Sequence, residues 1–64
     1  MNVILRHPRR EVTMDGHIAV GPMLEALDIV PETVLVIRGS DLLTRDAMLE
    51  PGDTVEVRPV ISGG

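Results

Sequence analysis

Apolar and polar side chains alternate near both ends of the chain, which is the pattern of a strand with one covered face. Residues 2–6 and 11–14 are two such runs, separated by a polar break at 7–10 that contains Pro8. Two short alternating runs joined by a brief turn predict a β-hairpin. Residues 54–60 alternate in the same way and predict the last strand of the chain.

The middle of the chain combines one helical pattern with one continuous apolar run. Residues 18–29 are the only helical candidate, because apolar side chains recur there at helical spacing, and Pro22 is tolerated in a first turn. Pro31 disfavours helical angles at the residue before it and should end the helix. Residues 33–38 are almost wholly apolar, which predicts a strand with both faces at least partly covered.

Short elements are predicted between this strand and the last one. Residues 42–43 are expected to form a brief strand. Asp46 is a suitable N-cap for one helical turn at 47–49. Residues 50–53 match a type II turn, because proline and glycine occupy its two central positions.

The charged side chains divide the strand residues into a core-facing set and an outward set. The positions that alternate with charged neighbours supply the predicted core, which consists of Val3, Leu5, Val12, Met14, Leu35, Ile37, Val55 and Val57. One helix packed on one face of a mixed sheet of four to five strands accommodates this set, so the predicted fold class is α+β.

The opposite face of the predicted sheet combines apolar and basic side chains. Its members are Ile4, Val34 and Val36, together with Arg6, Arg38 and Arg58. An apolar centre with a rim of arginines is typical of a surface that binds a protein partner. We therefore predict a docking face here, on which Val36→Asp should weaken binding with only a modest loss of stability.

Composition narrows the possible classes of function. The 64 residues make one domain, and they include no cysteine, which excludes disulfides and thiolate metal sites. A net charge of −4 and the lack of aromatic residues argue against direct nucleic-acid binding. Without a signal peptide or a membrane-length apolar run, the protein is expected to be cytoplasmic and free of membrane contact. His7 and His17 lie in separate turns and are predicted to be exposed residues, not metal ligands.

The last four residues, Ile61, Ser62, Gly63 and Gly64, follow the last predicted strand. Glycine has no Cβ and the widest backbone freedom, so we predict that these four form a flexible tail beyond a folded domain at 1–60. Such a tail, when extended, reaches roughly 13 Å at about 3.3 Å per residue. This shape suits the insertion of the Gly64 carboxylate through a narrow channel into the active site of another protein.

Four segments of the chain carry a family resemblance. They are Pro31-Glu32-Thr33-Val34, Glu50-Pro51-Gly52-Asp53, Val55-Glu56-Val57 and Val60-Ile61-Ser62-Gly63-Gly64. Together with the order of the predicted elements, these segments resemble the ubiquitin-like β-grasp sulfur carriers of the ThiS/MoaD family. A further segment, Arg38-Gly39 followed by Leu42-Leu43-Thr44, is more similar to the tRNA-thiolation carriers of the TtuB type than to the thiamine carriers.

The resemblance implies a ubiquitin-like β-grasp domain that serves as a co-substrate and is not itself an enzyme. An E1-like enzyme would bind the chain together with ATP and Mg²⁺, so that the chain holds no cofactor of its own, and would adenylate the Gly64 carboxylate. A sulfur donor such as a cysteine desulfurase or a rhodanese would then leave a thiocarboxylate on Gly64. A downstream synthase would accept this sulfur for thiamine thiazole, molybdopterin or tRNA 2-thiouridine. The carrier alone is expected to be a monomer.

Two other functions share the same sequence features. A ubiquitin-like protein modifier would be activated in the same way and conjugated through Gly64 to lysines of target proteins. A binding or structural β-grasp domain would carry the glycine pair incidentally. The chemical state of Gly64 in the cell distinguishes the three functions.

Overall fold

The computed structural model describes residues 1–6 and 9–60, in which a five-stranded sheet carries one helix on one face. The elements are, in chain order, β1 (Asn2–Leu5), β2 (Arg10–Thr13), β3 (Ile18–Ala19), α1 (Val20–Ala26), a 3₁₀ turn (Pro31–Thr33), β4 (Val34–Arg38), β5 (Asp41–Leu43), β6 (Met48–Leu49) and β7 (Thr54–Pro59). The predictions made for His7 and for the tail at 61–64 lie outside the described residues.

The sheet has the strand order β2-β1-β7-β4-β5. The first and last strands, β1 and β7, are parallel at its centre, and every other neighbouring pair in it is antiparallel. This mixed sheet with one helix confirms the predicted α+β, ubiquitin-like β-grasp fold. The predicted hairpin is confirmed as well, because β1 and β2 pair antiparallel with Val3 opposite Val12.

A separate two-stranded ladder of β3 and β6 corrects two predictions. Ile18 pairs with Leu49, and Ala19 pairs with Met48. The predicted helix start at Ile18 and the predicted helical turn at 47–49 are therefore both wrong. Leu49 is fully buried, and strand pairing brings its side chain into the core. Because β3 and β6 are far apart in the sequence, their pairing cannot be predicted from local helix propensity.

Backbone carbonyls from the segment before β6 cap the start of α1. The Val20 N–H donates to the Ala47 carbonyl at 3.0 Å, and the Gly21 N–H donates to the Arg45 carbonyl at 2.9 Å. These bonds satisfy N–H groups that have no partner within the helix itself. Pro22 follows, and its missing N–H leaves no donor unpaired in this first turn. The helix therefore begins where a distant segment supplies acceptors.

Asp28 ends α1 in a left-handed backbone conformation, with a φ of 61°. The Ile29 N–H donates to the Leu24 carbonyl at 2.9 Å, and the Asp28 N–H donates to the Glu25 carbonyl at 3.0 Å. This pair of bonds is the Schellman arrangement, in which glycine is the usual left-handed residue. Consequently the last helical residue is Ala26, earlier than the predicted end at Ile29.

Asp28→Gly should stabilise the domain by about 0.5–1 kcal/mol, because the left-handed region costs a residue with a Cβ more than it costs glycine. The carboxylate of Asp28 also lies at the negative end of the helix dipole, where a negative charge is unfavourable. Urea unfolding measures the change. Asp28→Asn is the matched control, because it removes the charge and keeps the Cβ. An equal gain in both variants would assign the effect to charge and contradict the backbone explanation.

Eight apolar side chains, each at most 3% exposed, form the core between the sheet and α1. They are Val3, Val20, Met23, Leu24, Val36, Leu49, Val55 and Val57. The predicted core positions outside β4 are confirmed, namely the buried Val3, Val55 and Val57 and the partly buried Leu5, Val12 and Met14.

The two faces of β4 are the reverse of the prediction. Val36 is 3% exposed in the core, whereas Leu35, predicted to be buried, is 43% exposed. Val34 also packs against the core, and Ile37 lies on the opposite, outward face. The prediction failed because it placed Arg38 on the solvent side, and the other side chains of this strand are all apolar. An all-apolar strand contains no internal indication of which face is covered.

The turn at 50–53 is closed by the Asp53 N–H, which donates to the Glu50 carbonyl at 3.0 Å. A turn is therefore present as predicted, but it is not of type II. A type II turn requires a positive φ at its third residue. Gly39 has such an angle, with a φ of 64°, and Gly52 does not.

Gly16→Ala should destabilise the domain by about 1–3 kcal/mol, because a Cβ at Gly16 would overlap the backbone of Pro51. Gly52→Ala is the matched control, since a Cβ there meets nothing within 4 Å. Urea unfolding of the two variants compares their free energies of unfolding. Equal values would show that the loop around Gly16 can move away from the turn at no cost, and would contradict the close packing.

Candidate functional site

The outward face of the sheet is one surface that crosses all five strands. A single cross-strand row consists of Glu11, Ile4, Glu56, Ile37 and Leu42, in the strand order β2-β1-β7-β4-β5. Side chains alternate along a strand, and the neighbours of these residues face the core, so this row faces away from α1. Glu56 therefore lies between two isoleucines at the centre of the face.

The half of this face formed by β4 and β5 is apolar. Leu35 is 43% exposed and Leu42 is 63% exposed, and Ile37 lies between their positions. A shallow hollow of about 290 Å³ adjoins Ile37, and its lining residues are Ile4, Ile37, Gly39, Thr54, Val55 and Glu56. Exposed apolar side chains grouped beside a hollow are typical of a surface that binds a partner.

Three charged side chains form an ion-pair cluster on the same face. Arg6 Nε and Arg58 Nε both donate to Glu56 Oε2, each at 2.7 Å. The hydrogen bonds from Arg58 and from Arg6 hold the pKa of the Glu56 carboxyl below its ordinary value of 4.5. The Arg6 and Arg58 side chains are 42% and 54% exposed, against 22% for Glu56. Glu56 thus orients two guanidinium groups that remain accessible from outside.

The lowered pKa of Glu56 sets the pH range over which these ion pairs form. Because its folded-state pKa is lowered, the stability that Glu56 contributes is present above the ordinary value of 4.5. That contribution is lost as the pH falls through the lower, folded-state pKa. The cluster is therefore intact at neutral pH.

Arg38 lies on the core-facing side of β4 and not on the outward face, which corrects the prediction. Its Nη1 donates to Asp53 Oδ2 at 2.9 Å and to the Met48 carbonyl at 3.2 Å. Asp53 Oδ2 also accepts the Glu50 N–H at 2.9 Å. The Glu50 N–H first, and Arg38 second, lower the pKa of the Asp53 carboxyl. Arg38 therefore joins the end of β4 to β6 and to the turn before β7.

The structure separates the five residues that were predicted to bind a partner. Ile4 and Arg58 lie on the outward face. Val34 and Val36 face the core, and Arg38 is bound to the turn before β7. The prediction of a single face that holds all five is wrong.

Leu35 and Ile37, which were predicted to lie in the core, lie on the outward face instead. The β4–β7 register puts Leu35 opposite Arg58 and Ile37 opposite Glu56. The charges on β7 therefore identify the outward side of β4 once the register is known. The strand register cannot be read from the sequence, so the charges of β7 could not be used to predict which side of β4 faces outward.

The outward face leads toward the predicted tail. Strand β7 ends at Pro59, and the Val60 N–H donates to the Thr33 carbonyl at 2.9 Å. Val60 is the last residue that the structure describes. Arg58 is the charged side chain nearest to that point along β7, so the ion-pair cluster lies, along this strand, between the hollow and Val60.

Within 1–6 and 9–60, no three His, Asp or Glu side chains converge where a metal ion could be held. None of the helices in those ranges is long and apolar enough to cross a membrane. His17 is exposed, as predicted, and its Nδ1 lies 3.6 Å from Glu50 Oε1.

Comparison with known proteins connects this fold to a described function. No protein-family model matches the chain. The chain is 45% identical, over 65 aligned residues, to a protein of Thermus thermophilus named sulfur carrier protein TtuB. The alignment spans the whole of both sequences. Such identity over full length is found between members of one protein family.

Proposed function

This chain belongs to the ThiS/MoaD-like family of sulfur carrier proteins, and we propose that it carries sulfur as a thiocarboxylate on Gly64. The observation that supports this proposal most is the full-length identity of 45% to sulfur carrier protein TtuB. The terminal Gly63-Gly64 pair supports it independently, because a carboxylate without neighbouring side chains can enter a narrow active site. The chain acts as a carrier and not as an enzyme.

The proposed chemistry occurs in two steps at the Gly64 carboxyl group. A carboxylate oxygen attacks the α-phosphorus of ATP, the bond to the β-phosphate oxygen breaks, and pyrophosphate leaves. In the second step, the terminal sulfur of a persulfide on a donor such as a cysteine desulfurase or a rhodanese adds to the carbonyl carbon, and AMP leaves. Two molecules of a thiol reductant then cleave the S–S bond of the resulting acyl disulfide, which leaves the thiocarboxylate on Gly64, the donor cysteine as a thiol and the reductant as its disulfide. An E1-like enzyme binds the ATP and Mg²⁺, and its cations stabilise the charge on the phosphates. The chain's own contribution is to present the carboxyl group.

We place the activating enzyme on the outward face of the sheet. This face combines the exposed side chains of Leu35 and Leu42 with a hollow beside Ile37, and it leads along β7 toward the tail. A partner bound there would bury apolar surface next to the residues that enter its active site. Ile4 and Arg58 keep their predicted partner-binding role in this proposal, whereas Val34, Val36 and Arg38 do not.

The sulfur acceptor that we favour is a tRNA nucleoside, made into 2-thiouridine in the cytoplasm. The support is the segment Arg38-Gly39 followed by Leu42-Leu43-Thr44, which resembles carriers of the TtuB type. Thiamine thiazole and molybdopterin are the alternative acceptors. The chain would reach the tRNA through a synthase, because its net charge of −4 disfavours direct contact with a polyanion.

Mass spectrometry of the protein isolated from its own cells tests this function. A thiocarboxylate increases the mass of the protein by the difference between a sulfur and an oxygen atom. Such an increase, located on Gly64, would support the proposal. An isopeptide between Gly64 and a lysine of another protein supports the alternative of a protein modifier. An unmodified Gly64 under all growth conditions, including after incubation with the co-purifying activating enzyme and ATP, would contradict both.

A further inference from the structure

We propose that Arg6 and Arg58 together bind an acidic side chain of the activating enzyme and that this contact determines which enzyme accepts the carrier. Glu56 holds the two guanidinium groups in place for that contact. The inference rests on the proposed function, because it concerns the recognition step that precedes adenylation. It specifies the chemistry that a partner surface must have, namely a carboxylate flanked by apolar side chains.

The hydrogen bonds of the cluster engage only one of the three nitrogens of each guanidinium group. Arg6 and Arg58 each use only Nε toward Glu56 Oε2, at 2.7 Å. No described residue accepts a hydrogen bond from the Nη atoms of either arginine. A guanidinium carries five N–H donors in a fixed fork, so none of the four Nη donors of either arginine is used by a residue within 1–6 and 9–60. Glu56 therefore holds the two arginine side chains in place without using their Nη donors.

The positive charge of the cluster favours a partner group that is negatively charged. Two arginines and one glutamate leave an excess positive charge at this point of a chain whose net charge is −4. A guanidinium pairs with a carboxylate through two parallel hydrogen bonds, which a single lysine cannot reproduce. The complementary group is therefore an anion with two oxygens in one plane.

The surroundings of the cluster favour a protein carboxylate. Leu35 lies directly opposite Arg58 in the β4–β7 register, and Ile4 lies opposite Glu56 in the β1–β7 register. Apolar neighbours exclude water from an interface and strengthen the ion pairs within it. A nucleic-acid backbone would need a wider basic surface. An acidic residue on the activating enzyme is the occupant that matches both the charge and the apolar surroundings.

Steady-state ATP–pyrophosphate exchange, measured at varied carrier concentration with the activating enzyme that co-purifies with it, tests this inference. We expect Arg6→Gln and Arg58→Gln each to raise the KM for the carrier about tenfold, because each removes a charge-assisted hydrogen-bonding group. The kcat should stay within about twofold, since the tail is intact. Arg45→Gln is the matched control, because it removes the same charge from the exposed Arg45–Glu32 pair, whose atoms are 2.6 Å apart.

Arg58→Lys separates forked recognition from charge alone. We expect it to raise the KM nearly as much as Arg58→Gln, and a KM equal to that of the unchanged protein would overturn the inference. The same conclusion follows if Arg6→Gln and Arg58→Gln match the Arg45→Gln control. In either of these cases the unchanged protein is still adenylated, so the proposed function stands. Failure of the unchanged protein to support exchange would instead overturn the proposed function, and the inference with it.

Discussion

Deletion of Gly64 should abolish adenylation by the activating enzyme and leave the stability of the domain unchanged. Removal of one residue withdraws the carboxylate by about 3.3 Å. A displacement of only about 1 Å can cost about 100-fold in rate, so we expect the ATP–pyrophosphate exchange rate to fall by more than that factor. The core is built from residues between Val3 and Val57, which explains why the fold should not change.

Substitutions within the tail test the same prediction without shortening the chain. Gly63→Leu should cause a comparable loss of exchange, because a branched side chain would obstruct a narrow channel. Ser62→Ala is the matched control, since it removes only a hydroxyl group, and it should retain most of the activity. Circular dichroism during heating checks that all three variants fold. Exchange at the normal rate in the protein without Gly64 would contradict the carrier function.

Val36→Asp should destabilise the domain by about 3–5 kcal/mol, enough to unfold it at the lower end of the stability expected for its size. Val36 is 3% exposed and lies opposite the buried Val57, so the substitution places an unpaired carboxylate in the core. An unpaired buried charge costs about 3–5 kcal/mol. A domain of 64 residues has a total stability of about 3–10 kcal/mol, at about 0.05–0.15 kcal/mol per residue. The cost therefore matches the whole stability at the lower end of this range and removes about a third to a half of it at the upper end.

Leu35→Asp is the matched control, because it adds the same charge one position earlier on the opposite face of β4. Leu35 is 43% exposed and lies opposite Arg58, so the new carboxylate stays hydrated beside a cation. This variant should keep the fold and bind the activating enzyme less tightly. Circular dichroism and titration calorimetry give the two measurements. If Val36→Asp folded and Leu35→Asp did not, the faces of β4 would be those predicted from the sequence, with Leu35 buried and Val36 facing outward.

Only part of the candidate docking surface could be predicted from the sequence, and β4 is the strand where the prediction was wrong. On β7, charged residues alternate with valines, as in Val55-Glu56-Val57, and Arg6 directly after β1 shares the side of Ile4, so charges mark the solvent side of both strands. The placement of Ile4 and Arg58 followed correctly from that alternation. Strand β4 offered only Arg38 as a marker, and Arg38 is held by Asp53 at the end of the strand. A long arginine side chain can leave the core-facing side beyond the edge of the packed layer, so it is a poor marker of orientation.

The order of the helix and the five strands of the main sheet, the hairpin and the family resemblance were all determined by the sequence alone. Each of these depends on local alternation, on turn residues or on short segments, which are visible within a few positions of the chain. The tertiary structure alone decided the pairing of β3 with β6, the start of α1 at the Ala47 and Arg45 carbonyls, and the covered face of β4. These three features depend on contacts between distant segments, where burial and backbone hydrogen bonding outweigh local preference.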